Sequence, residues 1–234
     1  MKSMTINHSA KKRGISLIEG VLYLVLALSV IVGGIVFFQQ AQLSNNVTNT
    51  SRAMTGISSE IRGLYQNAQD FGVDATDLTE VILAAGGVPS NFVDNAGTPT
   101  DSVDDAIVTP FDGNVEIYAE DGGAGTTNAE YFVIELENLG EAECIRLATV
   151  SASGDGPLGT NIMGVGIMAG PGAVGNYDSA ATVSDLATAV PAAAGAAFQF
   201  SSINQAAPGV GMNAAEATLA CEEEDNVVYA VYSR

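Results

Sequence analysis

From Ile15 to Phe38 the chain reads ISLIEGVLYLVLALSVIVGGIVFF, 24 residues with one carboxylic acid, Glu19, and no basic side chain. At about 1.5 Å per residue a helix of that length crosses the ~30 Å hydrocarbon layer, so the segment reads as a membrane helix. Lys11, Lys12 and Arg13 precede it, followed by Gly14. The positive-inside bias holds that cluster in the cytoplasm and sends everything after Phe38 across the membrane. An ordinary secretory signal has a shorter apolar core and is cut behind it, after a small-x-small site, and neither feature fits here. A plain single-pass anchor explains the length and the flanking charge but not Glu19. Even lenient scales charge about 2.5–3.5 kcal/mol for such a group at the bilayer centre.

The junction KKRG followed by ISLIE resembles the class III signal of type IV pilins. The resemblance implies that a prepilin peptidase cuts between Gly14 and Ile15 on the cytoplasmic side and methylates the new terminus. Residues 1–14 are then a cleaved leader, and the apolar helix stays attached. It also implies that Glu19 pairs with the terminal amine, that of Ile15, of a neighbouring subunit during filament assembly. An isolated charge in an apolar bundle costs several kcal/mol, whereas a partnered one is tolerated and fixes axial register. The implied partners are further copies in a helical homopolymer, the peptidase/N-methyltransferase, the inner-membrane pilus assembly machinery and, before assembly, the membrane.

Charge and composition favour a filament subunit over an enzyme. Of eight basic residues, Lys2, Lys11, Lys12 and Arg13 fall in the leader, with the single histidine, His8. After the cut, four arginines face 27 acids, a net charge of −23. A chain without His, Lys or Trp cannot build a Ser-His-Asp triad, a Schiff base, a Walker lysine or a histidine metal site, which leaves only carboxylate catalysis open; the expectation is no enzyme and no cofactor. So acidic a surface repels phosphate backbones, and nucleic acid is not an expected partner along most of it.

Beyond the apolar run the periodicity shifts without a helix breaker, since no proline lies between Ile15 and Phe71. Leu43, Val47, Thr50, Met54, Ile57, Ile61, Leu64 and Ala68 alternate steps of four and three, an amphipathic seam. One helix from about Ile15 to Gln69 is predicted, its second half, residues 39–70, laid against its own domain. Gly33-Gly34 reads either as a bend or unwinding site or as close helix packing, at a cost of roughly 1 kcal/mol per glycine.

Residues 71–234 suffice for one α+β head domain. Thr76–Glu80 is a helix start and Gly86-Gly87 its stop, which places a short helix near Leu78–Ala85. Thr109–Gly113 is a turn; Val115–Ala119 and Tyr131–Leu136 read as paired strands joined by the Gly122–Asn128 loop. Ala197–Ser201 and Val227–Tyr232 are later strands. The expected sheet is a meander of about four or five antiparallel strands on the long helix, with Tyr229 and Tyr232 as core or interface residues.

Cys144 and Cys221 allow one internal pairing, and the topology places both outside the cytoplasm, where a disulfide is the expected state. It would tie the C-terminal strand region to a helix near Glu141–Ala148. With these parts the resemblance narrows to the type IVb branch, typified by toxin-coregulated and bundle-forming pili. Its members carry an alternating strand, a cysteine-bearing helix and a late second cysteine. Here those parts read FVIELENLGEAECIRLATV and ATLACEEEDNVVYAVY, with GLYQNAQDFG closing the long helix. The leader is shorter than in many members, and Ile15 replaces the methionine or leucine often found first.

The region between the cysteines is rich in small residues. Gly164–Ala169 mimics a dinucleotide fingerprint, with Asp185 near the right distance, but Gly170-Pro171-Gly172 would break the helix such a motif must open. A surface loop or intersubunit contact is the expected role, and Ala180–Val190 a short helix before Pro191. The acid clusters Asp101, Asp104, Asp105 and Glu222–Asp225 lack the spaced geometry of a calcium loop and read as a solvated face.

The expected molecule is an α+β pilin fold in four parts: leader 1–14, membrane and filament-core helix 15–38, amphipathic half 39–70, and head 71–234. Its expected function is that of a major pilin of a type IVb-like pilus serving adhesion, aggregation or colonisation, held in the inner membrane and then in the extracellular filament. Two alternatives remain at this level: a minor pilin or secretion pseudopilin, and a membrane-anchored binding module.

Overall fold

The computed structural model describes residues 17–73, 76–94, 106–120, 128–151, 154–168, 211–221 and 225–234, and the backbone of 198–202. Two compact units divide the chain, residues 1–43 and 44–234. Helix α1 runs Leu17–Leu64.

Within the first unit, α1 is the apolar run. It is helical through Gly33 and Gly34, with no unwinding there. Its large apolar side chains are exposed along their length, Leu17 by 86 % and Phe37 by 74 %.

In the second unit the same helix turns one stripe inward. Thr50, Ala53, Met54, Ile57, Ser58 and Ile61 are buried, which matches the four-three seam at its centre. Burying each of Met54, Ile57 and Ile61 stabilises by about 1.5–3 kcal/mol. The seam stops earlier than its sequence period, because Leu64 is 44 % exposed and the helix ends there, not near Gln69. The chain then turns on side-chain bonds that compete with further helix. Asp70 accepts from the Gly72 N–H (3.1 Å), and Gly72 sits at φ +115°, in the left-handed region. The Phe71 N–H reaches the Ala129 carbonyl at 2.9 Å.

Helix α2 (Thr79–Ala85) starts with Asp77 accepting from the Thr79 N–H and ends at Gly86 in the left-handed conformation, as its flanking residues predict. The strands are β1 (Val93–Asp94), β2 (Ala106–Val108), β3 (Asn114–Glu120), β4 (Tyr131–Leu139), β5 (Ile162–Met168), β6 (Phe198–Ser202) and β7 (Asn226–Ser233). Helix α3 (Glu141–Ala148) follows β4, and α4 (Ala214–Ala220) precedes β7. The fold is that of a helix on an antiparallel sheet, as expected.

Two details of the sheet differ from the sequence reading. It has seven strands among the described residues, ordered β1-β2-β3-β4-β7-β5-β6, so the C-terminal strand lies inside the sheet and the order is not a meander. The unforeseen β1 and β2 are two and three residues long, too short to carry an alternation. The unforeseen β5 lies in the stretch read as a surface loop. Its Val165 and Ile167 are buried, while the alternating Gly164 and Gly166, poor strand formers, hide the pattern.

Between Leu136 and Leu139 the register of β4 shifts at a bulge. Asn138 there takes φ +54° and donates from its amide to the carbonyls of Phe111 and Asp112, locking the bulge to the β2–β3 turn. Gly113 in that turn is packed so closely that a Cβ would collide with the Glu137 carbonyl oxygen.

Candidate assembly surface and head architecture

The residues implicated in assembly lie in the first unit. Glu19 stands in the first turn of α1, where an acid suits the positive end of the helix dipole. Gly14 and Ile15 fall outside the described residues. From Leu17 to Phe38 the helix is about 33 Å long at 1.5 Å per residue and carries no other charge. Among the described residues it is the one helix long and apolar enough to cross a membrane.

In the second unit Cys144 of α3 and Cys221, just after α4, form a disulfide with their Cα atoms 6.0 Å apart. Both helices present apolar faces to the core, through Leu147 and Ala148 on α3 and Ala217 and Ala220 on α4. Asn213 caps α4 by accepting from the N–H groups of Ala215 and Glu216, and Glu216 returns a bond to the Asn213 N–H. This Asn-x-x-Glu capping box is a sequence signal for a helix that the initial reading missed. Beside the bridge, the amide of buried Asn226 donates to the Leu139 carbonyl (2.9 Å).

Arg62, near the end of α1, is the second feature that sequence reasoning missed. Its Nε donates to the Ser233 carbonyl (3.2 Å), and its Nη2 to the carbonyls of Thr160 and Asn161. The guanidinium also lies over the rings of Phe132 and Tyr232. Burial lowers its pKa, and the Tyr232 hydroxyl opposes that shift. Tyr232 donates to the Leu158 carbonyl at 2.6 Å, and its burial holds the phenol neutral far above its ordinary range. Arg234 donates to the carbonyls of Gln69 and Gln66. Two arginines thus fasten the last strand to the end of the long helix.

The sheet has an acidic second face. Side chains alternate along a strand, so Phe132, Ile134 and Leu136 join the core with α1, while Val133 and Glu135 face the other way. Val133, Val227, Tyr229 and Val231 form a smaller apolar cluster there, with Tyr131 and Met168 packed against it. Cross-strand register sets Glu116 opposite Glu135, and Glu135 opposite Tyr229. Burial, then Glu116, then Glu137 push the Glu135 carboxyl up to about 8. Glu116 is raised too, by burial and then by Glu137 and Asp77. Strand β7 is apolar on both faces, which marks an interior strand, and its neighbour β4 carries Glu135 and Glu137 on the second face.

Of the acid clusters singled out in the sequence, Asp101, Asp104, Asp105 and Glu222–Glu224 lie outside the described residues, as does Ala180–Val190. The fingerprint mimic Gly164–Met168 is strand, a backbone that offers no helix N-terminus to a pyrophosphate.

Comparison with known proteins gives concordant matches. The model of the PilS N-terminal family matches residues 44–202. Two relatives described as the major structural subunit of bundle-forming pilus align along nearly their whole length. The one from Escherichia coli O111:H- is 27 % identical over 233 residues, covering 99 % of this chain and 98 % of the relative. The one from Escherichia coli O127:H6 is 26 % identical over 234 residues, with the same coverage. Among solved structures, the type IVb pilin from Salmonella typhi aligns with a TM-score of 0.48 at 13 % identity, over 80 % of this chain and 99 % of that one. TcpA, a type IV pilin from Vibrio cholerae El Tor, aligns with a TM-score of 0.46 at 17 % identity, over 81 % and 99 %.

Proposed function

The chain belongs to the PilS N-terminal family, and from that membership we infer that it is a type IVb pilin, a structural subunit that polymerises with copies of itself into an extracellular pilus. One observation carries the reading most directly. An exposed apolar helix, Leu17–Phe38, is continuous with the helix that anchors a disulfide-closed head. Such a surface is costly in water at roughly 25 cal/mol per Å², and either lipid or a bundle of like helices removes that cost. The subunit is therefore held in the inner membrane first and leaves it when further copies replace the lipid. Its relatives, named as major subunits over 98 % of their length, favour the role of major pilin over that of minor pilin or pseudopilin.

In this reading residues 1–14 are the leader, 15–38 the membrane and filament-core helix, 39–70 its amphipathic half and 71–234 the head. The prepilin peptidase cuts between Gly14 and Ile15 and methylates Ile15, the assembly machinery extracts the subunit, and Glu19 sets register against the terminal amine of a neighbour. A lone carboxylate in an apolar bundle selects the one axial position that supplies its partner. Mass spectrometry of the mature chain tests the processing: an N-methylated chain starting at Ile15 is expected, and an unmethylated chain starting at Met1 would reject it.

A further inference from the structure

Both carboxylate oxygens of Glu135 lack a hydrogen-bond partner among the described residues, and the side chain is 0 % exposed. A charged carboxylate in that position would be severely penalised, because burial without a partner removes its hydration and returns nothing. Its surroundings deepen the problem. On β3 its cross-strand neighbour is Glu116, with Tyr118 and Glu120 on the same face. On its own strand Tyr131 shares the face, and Glu137, also buried, acts on it electrostatically. Across on β7 stands Tyr229, and Asp77 bridges to β3 at Tyr118. Strands β5 and β6 add no titratable residue, and none of the seven strands carries Lys, Arg or His. Arg62 of α1 lies over the rings of Phe132 and Tyr232, which belong to the core face opposite Glu135.

We propose that Glu135, with Glu116 and Glu137, forms a proton-holding cluster that acts as an alkali-sensitive latch on the head: the sheet is closed while the cluster keeps its proton and is weakened when the proton leaves. A proton on Glu135 converts an uncompensated charge into a neutral acid that the apolar cluster of Val133, Val231 and Tyr229 accepts. The direction follows from linkage. Glu135 holds its proton to about pH 8 in the folded head, whereas an unfolded glutamate releases it near 4.5. The stabilisation is complete below the unfolded value and is lost as pH rises through the window to about 8. Across that window the ratio of folded to unfolded chain falls by up to about tenfold per pH unit from this group.

The test is denaturant unfolding of the full-length, disulfide-intact chain in detergent from pH 5 to pH 9, wild type beside Glu135→Gln. The wild type is expected to lose stability relative to the variant as pH rises, with the difference levelling off above about pH 8; parallel profiles would overturn the proposal. An infrared spectrum of the wild type gives an answer independent of how the variant folds. A protonated-carboxyl band present at pH 7 and absent above pH 9 is expected, and its absence at pH 7 would overturn the proposal equally.

Discussion

The guanidinium carbon of Arg62 lies 5.6 Å from the centroid of the Tyr232 ring, which is stacked at 4.9 Å on Phe132. Helix α1, β4 and β7 meet in that column, and the same arginine donates to the carbonyls of Ser233, Thr160 and Asn161. Arg62→Ala removes both cation–π contacts and all three hydrogen bonds, and should destabilise the head by about 2–3 kcal/mol. Arg62→Lys keeps the charge but loses the planar fork and should recover less than half of that. Urea unfolding of the oxidised chain measures both.

The Cys144–Cys221 bridge closes a loop of sequence separation 77. In the chain-entropy model a loop of that size is worth about 4.5 kcal/mol, acting mainly on the unfolded state. Double replacement by serine should therefore lower the unfolding midpoint steeply and steepen the denaturant dependence, because the unbridged unfolded chain exposes more surface. A drop below 1 kcal/mol would mean that the unfolded chain already keeps these segments close together without the bridge.

Two glycines should respond in opposite directions. A methyl group at Gly113 runs into the Glu137 carbonyl oxygen, fixed backbone in the β4 bulge, so Gly113→Ala should cost more than 3 kcal/mol or prevent folding. At Gly56, inside α1, a Cβ meets nothing within 4 Å, and Gly56→Ala should stabilise the isolated subunit by about 0.5–1 kcal/mol through helix propensity. Thermal melts of the two variants decide the matter.

Replacing Glu19 with alanine removes the one charge of the apolar run and makes membrane insertion easier. If that carboxylate sets register, Glu19→Ala should be found in the membrane at wild-type levels while filament yield falls at least tenfold. Cell fractionation beside quantitation of sheared filaments separates the two steps, and normal filaments from this variant would remove its role in register.

Legibility in the sequence followed the strength of each physical signal. The apolar run, the seam through Thr50, Met54, Ile57 and Ile61, helix α2 with its Gly86 stop, and the β3–β4 pair each carry a period or a terminator that local chemistry enforces. The central place of β7 was also written in its unbroken apolar stretch, NVVYAVYS, although it was first read as one strand of a meander. Strand β5 was hidden because glycines occupy alternate positions and mimic a loop, and α4 because its capping box opens a helix of only seven residues. The early end of α1 near Leu64 was not legible, since it depends on long-range partners of the following turn, Ala129 and Arg234. The burial of Glu135 was not legible, since nothing local to an alternating strand tells that its second face is covered.

The central claim, that the apolar helix becomes the interior of a polymer, is tested most directly by thiol accessibility in filaments sheared from cells. The native cysteines are bonded to each other, so a single introduced cysteine reports alone. Val30→Cys sits at a position 74 % exposed in the single chain, and Glu130→Cys at an exposed position on the head provides the comparison. The account predicts that a polar maleimide labels Glu130→Cys filaments rapidly and leaves Val30→Cys filaments unlabelled until they are dissociated in detergent. Equal labelling of the two in intact filaments would contradict it.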